Sequence, residues 1–124
     1  MVLVVDDDPD IREAIRQTLE SEGYGVVTAA DGREALDQLQ THPRVSLILA
    51  DMRMPTMDGQ ELIAALRCKG NPTPVVVLSA LSELRREGSL RLRSITGAAE
   101  VLGKPFNIET LLRVVAHHVS SARN

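Results

Sequence analysis

Five short runs of apolar, strand-favouring residues recur along the chain, and each is followed by a segment with helical spacing. The runs cover residues 2–5, 26–29, 45–50, 75–78 and 100–102. The third and fourth are apolar at nearly every position, which is typical of strands covered on both faces. Alternating strands and helices predict a parallel sheet with helices on both sides and right-handed crossovers. The sequence therefore predicts an α/β fold of five strand–helix units, (βα)₅, around one doubly wound sheet.

Residues that cap helix N-termini precede four of the helical segments: Asp8, Asp31, Asp58 and Asn107. Pro9 follows the first cap, at the helical position where its missing N–H leaves no bond unmade. Glutamates three residues after Asp31 and Asp58 give the spacing of a capping box. Segment 82–97 has no clean apolar stripe and contains Gly88, so we expect a poorly formed helix there.

The composition excludes several classes of protein. The chain has 124 residues, 44% hydrophobic and 25% charged, which predicts one globular domain over 1–124 with no output domain. No apolar run reaches about eighteen residues, so no membrane span is expected. A single cysteine, Cys68, excludes an internal disulfide and favours a reducing compartment, the cytoplasm. The net charge of −3 and the scarcity of aromatic residues argue against direct contact with nucleic acid.

Polar side chains stand where the predicted strands end, and ligands of such sheets bind beyond the carboxyl ends of the strands. Asp6 and Asp7 follow the first strand and Asp51 follows the third. Ser79 follows the fourth strand, and Lys104 comes shortly after the fifth. In a strand order of 2-1-3-4-5 the first and third strands are neighbours. The three aspartates would then share one pocket at the edge of the sheet.

Three clustered carboxylates repel one another unless a cation is present. Mg²⁺ suits them, because it prefers oxygen ligands and is content with one or two carboxylates plus waters and phosphate oxygens. A lysine and a hydroxyl opposite would suit a phosphoryl group, whose oxygens need charge neutralisation and hydrogen bonds. The nucleophile is best assigned to an aspartate, since carboxylates form acyl phosphates in covalent phosphoryl transfer.

Four motifs in this order resemble the receiver domain of bacterial two-component response regulators. They are Val-Val-Asp-Asp-Asp-Pro at 4–9, Leu-Ala-Asp-Met-Arg-Met-Pro-Thr-Met-Asp-Gly at 49–59, Val-Leu-Ser-Ala at 77–80 and Gly-Lys-Pro-Phe at 103–106. Each motif is weak alone, but all four at the ends of the right strands are specific. The resemblance covers the whole chain and implies the flavodoxin-like receiver fold with strand order 2-1-3-4-5.

The resemblance also implies the roles of the site residues. Asp51 would be the phosphoacceptor. Asp6 and Asp7 would bind Mg²⁺ together with Asp51 and the main-chain carbonyl of Arg53. The family pattern therefore assigns every carboxylate of the predicted cluster.

Two further residues and the partners follow from the same resemblance. Ser79 would hydrogen-bond the phosphoryl group and Lys104 would pair with it, with a cis peptide between Lys104 and Pro105. The phosphoryl donor would be a phosphohistidine on a sensor histidine kinase or a histidine phosphotransfer protein. A homodimer could form through the face of the fourth helix, the fifth strand and the last helix. Such a domain is a regulator that assists its own phosphorylation and dephosphorylation, and not an enzyme.

Other functions fit part of the pattern. A haloacid-dehalogenase-type phosphatase carries Asp-x-Asp after its first strand, which Asp6 and Asp8 match, but that family needs a cap or a larger core. A pseudo-receiver would bind a partner without phosphorylation, and the intact Asp51 and Lys104 count against it. A flavodoxin is disfavoured because the aspartates after the first strand would repel the phosphate of a flavin.

Two departures from the family pattern concern how phosphorylation is read out. Family members usually carry an aromatic residue three positions before the lysine, where this chain has Val101. The interval from Ser79 to Lys104 is also a few residues longer than usual, and the excess falls in segment 82–97. We therefore expect this segment to be irregular or mobile. We also expect phosphorylation to order it, and this ordering to transmit the signal in place of an aromatic side chain.

Overall fold

The computed structural model describes the backbone of residues 1–123 and the side chains of residues 1–119. Five strands form one sheet: β1 (Val2–Val5), β2 (Val26–Ala29), β3 (Leu47–Asp51), β4 (Val75–Ala80) and β5 (Glu100–Lys104). Neighbouring strands are all parallel, and their order is β2-β1-β3-β4-β5. The predicted α/β sheet with strand order 2-1-3-4-5 is confirmed.

Six helices lie in the described part of the chain: α1 (Pro9–Ser21), α2 (Gly32–Thr41), α3 (Gly59–Cys68), α4 (Leu81–Glu87), α5 (Ser89–Thr96) and α6 (Ile108–Arg123). The predicted number of five is wrong, because segment 82–97 forms parts of two short helices. The break is at Gly88, whose φ of 83° and ψ of 147° define a conformation that other residues rarely adopt. The expected irregularity is confirmed in this form, and the mobility of the segment stays a prediction.

Four strand boundaries differ from the predicted ones, and one of them is the end of β3, which lies at Asp51 instead of Ala50. Strand β3 begins at Leu47, because the N–H of Val45 bonds to the carbonyl of His42 in the preceding turn. Strands β4 and β5 continue past the predicted ends to Ala80 and Lys104, which pair with each other. These strands extend beyond their apolar runs because ladder bonds involve the backbone and not the side chain. The ends of β4 and β5 therefore hold site residues within the sheet.

Each face of the sheet is covered by its own hydrophobic cluster. Ile48 of β3 joins the cluster that includes Leu62 of α3. The next residue, Leu49, joins the opposite cluster with Leu19 of α1 and Val115 of α6. Successive residues of a strand point to opposite faces, so a strand covered on both sides is apolar throughout. This arrangement accounts for the unbroken apolar runs in the sequence.

The four predicted caps all form, and they accept backbone N–H groups at the starts of α1, α2, α3 and α6: Asp8, Asp31, Asp58 and Asn107. At α3 the capping box is reciprocal, since the Glu61 carboxylate accepts the N–H of Asp58 at 3.1 Å. The caps fix where each helix leaves the loop that follows a strand, and so they shape the edge of the sheet. Among residues 1–123 no helix has the length and apolarity needed to cross a membrane.

Candidate functional site

The register of the sheet brings the three predicted aspartates together. Val5 of β1 pairs with Ala50 of β3, so Asp6 and Asp51 are the next residues along neighbouring strands. Asp6 is fully buried, Asp51 is partly buried, and Asp7 is exposed at the edge of the sheet. Each offers a carboxylate oxygen, and these oxygens all lie within 4.8 Å of one another. The predicted carboxylate cluster is present.

Lys104 reaches into this cluster from the last position of β5. Its Nζ lies 3.0 Å from Oδ2 of Asp51 and 3.1 Å from Oδ2 of Asp6. The peptide between Lys104 and Pro105 is cis, as predicted. The side chain is 21% exposed, so the ammonium is accessible at the same pocket while bonded to both carboxylates. One ammonium is therefore bonded to two carboxylates of a cluster that contains three.

The charges in this pocket are only partly balanced. Burial raises the pKa of the Asp51 carboxyl, and the nearby charge of Asp6 raises it further, while the hydrogen bond and charge of Lys104 oppose both effects. Burial lowers the pKa of the Lys104 ammonium, but its hydrogen bonds to Asp51 and Asp6 outweigh burial and raise it. The lysine therefore keeps its charge, and the surroundings of Asp51 disfavour the ionised form of its carboxyl. A further cation would relieve this cost.

The donor set fits a magnesium ion. All of its side-chain ligands are carboxylate oxygens, the type that Mg²⁺ prefers, and they converge from two neighbouring strand ends. Asp7 is exposed and Asp51 is partly exposed, so a cation that keeps several waters could be held here. The structure thus brings together the aspartates that the sequence assigned to the metal.

Asp6 is fixed by two contacts that involve neighbouring residues of the chain. Its Oδ1 accepts the N–H of Asp8 at 2.9 Å. Its main-chain carbonyl accepts Nη1 of Arg12 at 2.7 Å. Sequence reasoning missed Arg12, although a cation near the start of α1 opposes the helix dipole and so indicates a specific partner.

Asp8 lies beside the cluster but has a different task. Its Oδ1 accepts the N–H of Asp10 at 2.9 Å and that of Ile11 at 3.5 Å, as the N-cap of α1. A phosphatase of the alternative type would need this carboxylate as its second catalytic acid. The capping bonds hold it to the helix, which disfavours that alternative.

Ser79 and Arg53 lie near the cluster with other immediate partners. Ser79 is fully buried in β4 opposite Gly103, and its hydroxyl makes a long 3.5 Å hydrogen bond to the carbonyl of Ala80. The N–H of Arg53 donates to Oδ1 of Asp51 at 3.3 Å, and its guanidinium pairs with Glu83 of α4. The predicted roles of the Ser79 hydroxyl and the Arg53 carbonyl stay predictions.

An open cavity of about 560 Å³ gives access to Asp51. Its lining includes polar and apolar groups from α1, from three strand ends and from the loops after β3 and β5: Ile11, Asp51, Arg53, Ala80, Lys104, Pro105 and Phe106. The charged groups lie together at Asp51 and Lys104, while Ile11 and Phe106 supply an apolar wall. The cavity is large enough to admit a small phosphoryl donor or a side chain of a partner.

Gly59 is required by its close approach to Asp51. A Cβ at this first position of α3 would lie 2.9 Å from the main-chain oxygen of Asp51. We expect Gly59→Ala to lower the free energy of unfolding by about 1–3 kcal/mol, the usual cost of overpacking. Urea unfolding measures this loss. Gly25→Ala is the control, because its Cβ would meet only the Met1 side chain at 3.6 Å; equal losses in both variants would contradict the argument.

Comparison with known sequences agrees with this geometry. The family model described as response regulator receiver domain matches residues 2–116. The chain is 42% identical over 112 residues to the response regulator MprA of Mycolicibacterium vanbaalenii. The aligned region covers 90% of this chain and 46% of that protein. The chain therefore spans less than half the length of this relative.

Solved structures extend the likeness to the fold. Chemotaxis protein CheY4 of Vibrio cholerae matches with a TM-score of 0.78 and 38% identity, over 94% of this chain and 96% of that one. The response regulator TrrA of Thermotoga maritima, solved in complex with Mg(2+)-BeF, matches with a TM-score of 0.78 and 34% identity, over the same shares. With the aspartate cluster, the lysine and the sheet order in place, the chain belongs to the response regulator receiver domain family.

Proposed function

We propose that the chain is the phosphoacceptor domain of a two-component phosphorelay, in which Asp51 takes a phosphoryl group from a partner phosphohistidine with Mg²⁺. One observation carries this proposal. The Lys104 ammonium is held 3.0 Å from Asp51 and 3.1 Å from Asp6, in a pocket that three carboxylates share. An acyl phosphate on Asp51 would form directly beside that ammonium, where its new charge is best stabilised.

In the proposed transfer, a carboxylate oxygen of Asp51 attacks phosphorus and forms a P–O bond while the P–N bond to the donor histidine breaks. The electron pair of that bond leaves with the imidazole, which takes a proton from solvent. Lys104 then donates to a phosphoryl oxygen in place of the carboxylate oxygen. The Ser79 hydroxyl, at the end of the neighbouring strand, would turn from the Ala80 carbonyl to donate to another phosphoryl oxygen.

The metal belongs to the same proposal. Asp6, Asp7, Asp51 and the main-chain carbonyl of Arg53 would hold Mg²⁺, which would neutralise charge on the phosphoryl oxygens. The structure of TrrA, whose complex contains Mg(2+)-BeF, supports this assignment by similarity. In this chain the support is the cluster of three carboxylates with one ammonium bonded to two of them, which leaves negative charge in excess.

The proposed partners follow from the family. A sensor histidine kinase or a histidine phosphotransfer protein would donate the phosphoryl group, in the cytoplasm. The domain would act as a regulator that is modified once, and a homodimer would use the face of α4, α5, β5 and α6. The whole protein would respond to the charge of about −1.5 to −2 that the phosphoryl group adds.

The number of phosphoryl groups transferred per chain distinguishes the proposed phosphoacceptor from a phosphatase. In Mg²⁺ with an excess of a small acyl phosphate, we expect at most one phosphoryl group per chain, seen as a single mass increment. A generic phosphate ester should release no phosphate in repeated turnovers. Sustained turnover of the ester would favour the phosphatase, and no mass gain from the acyl phosphate would favour a pseudo-receiver.

A further inference from the structure

Arg53 and Glu83 form an ion pair between the loop that follows Asp51 and the start of α4. Nη2 of Arg53 lies 3.2 Å from Oε1 of Glu83, 30 residues further along the chain. The Glu83 side chain is 12% exposed, whereas that of Arg53 is 71% exposed. The carboxylate is therefore tucked against the protein, and the guanidinium reaches it from the solvent side.

Helix α4 has few other attachments. Its seven residues are all described, and none of them is buried. Its N-cap, Ala80, has no side chain that can cap, and the helix ends at Glu87, just before Gly88. Leu84 is half-buried and packs close to Gly103, where a Cβ would lie 2.9 Å from the Leu84 side chain. The apolar side chains of Leu84 and Leu81, which both lie close to Gly103, and the pair with Arg53 thus attach α4 to the rest of the domain.

Arg53 is also connected to the proposed phosphoacceptor. Its N–H donates to Oδ1 of Asp51 at 3.3 Å, and it lines the same cavity as Asp51 and Lys104. A guanidinium binds phosphoryl oxygens in a bidentate manner and with charge assistance. The Arg53 side chain of the pair is mostly exposed to solvent, which weakens the pair, so a dianionic group nearby can compete for the guanidinium.

We propose that Arg53 exchanges Glu83 for the phosphoryl group on Asp51, and that the loss of this ion pair frees α4. The proposal rests on the proposed phosphorylation of Asp51 and adds a route by which it reaches the adjacent helix. Glu83 is a positioning residue in this account, because it acts through Arg53 and does not touch the reacting atoms. The route needs no aromatic side chain at Val101, and it makes phosphorylation release α4, which is the opposite of the ordering that the sequence predicted for segment 82–97.

Amide hydrogen exchange of residues 81–87 tests both steps. Without any phosphoryl donor, Glu83→Gln and Arg53→Ala should each speed exchange by up to about fivefold, the range expected for an exposed ion pair. The double variant should exchange no faster than either single one, because both remove the same pair. Additive effects, or a Glu83→Gln variant that exchanges like the wild type, would overturn the inference.

The second step uses beryllofluoride with Mg²⁺ as the phosphoryl mimic. Exchange of residues 81–87 should speed up in the wild type but change little in Glu83→Gln, whose α4 is already free. Arg53→Lys should restore part of the response that Arg53→Ala lacks, because it keeps the charge. Glu87→Gln is the matched control on the same helix, since Glu87 pairs with Arg91, and it should respond like the wild type.

The outcomes separate the inference from the proposed function. Suppose that an acyl phosphate modifies the wild type, but that amide hydrogens of residues 81–87 exchange at the same rate with and without beryllofluoride. The proposed move of Arg53 from Glu83 to the phosphoryl group is then wrong, and the phosphoacceptor role stands. If the wild type takes up neither the acyl phosphate nor beryllofluoride, the phosphoacceptor role fails, and the proposed move of Arg53 from Glu83 to the phosphoryl group fails with it. The comparison made without a donor still decides whether the ion pair holds α4.

Discussion

Replacing Asp51 by asparagine should abolish phosphoryl uptake from a small acyl phosphate, whereas Asp8→Asn should leave uptake close to that of the wild type. An amide lacks the carboxylate oxygen that attacks phosphorus, so the loss at position 51 should be complete. Asn caps a helix about as well as Asp, so Asp8→Asn should keep the start of α1 intact. Intact-protein mass spectrometry after incubation in Mg²⁺ measures uptake.

The same two variants also distinguish a phosphoacceptor that uses Asp51 from a phosphatase that uses Asp6 and Asp8. A phosphatase that used Asp6 and Asp8 would lose its reaction on Asp8→Asn and keep it on Asp51→Asn. Uptake that survives in Asp51→Asn would contradict the assignment of the phosphoacceptor. Because both changes replace a carboxylate by an amide at the same edge of the sheet, general effects of lost charge are shared.

Magnesium should raise the free energy of unfolding of the wild type, by about 2.7 kcal/mol when its concentration is a hundred times the dissociation constant. The reason is that Mg²⁺ relieves the repulsion among Asp6, Asp7 and Asp51, which exists only when the chain is folded. Asp7→Ala should lose most of this effect. Since Asp7 is exposed, its removal leaves the core unchanged, and thermal unfolding with Mg²⁺ or a chelator measures the difference.

The control for this titration is Asp10→Ala, which removes an exposed aspartate from the first turn of α1 outside the cluster. It should respond to Mg²⁺ as the wild type does. A wild-type melting temperature that Mg²⁺ does not move would contradict the metal site. An Asp7→Ala chain that gains as much stability as the wild type would remove Asp7 from the ligand set.

The sequence sufficed for features that depend on local pattern. Unbroken apolar runs predicted strands covered on both faces, and cap residues predicted where α1, α2, α3 and α6 begin. Placement of Asp6, Asp7 and Asp51 at strand ends predicted the cluster, because neighbouring parallel strands end at the same edge. These inferences need the residue order and the fold class, and no detailed coordinates.

Features that depend on contacts between distant residues were not predictable in this way. The pairing of Ala80 with Lys104 extends β4 and β5, and no apolar pattern shows it. The bond from Arg12 to the Asp6 carbonyl and the pair of Arg53 with Glu83 depend on where loops meet in space. Gly88 indicated from the sequence that the helix over 82–97 is poorly formed, but only the backbone conformation at this residue shows that the segment divides into two helices.

Direct identification of the modified residue tests the central claim. The wild-type chain would be incubated with an acyl phosphate and Mg²⁺, and borohydride reduction would convert any aspartyl phosphate into homoserine. Peptide sequencing by mass spectrometry would then locate the homoserine. We predict homoserine at position 51 and an unchanged aspartate at positions 6, 7 and 8. Homoserine at one of those three positions instead, or none anywhere in the chain, would contradict the account.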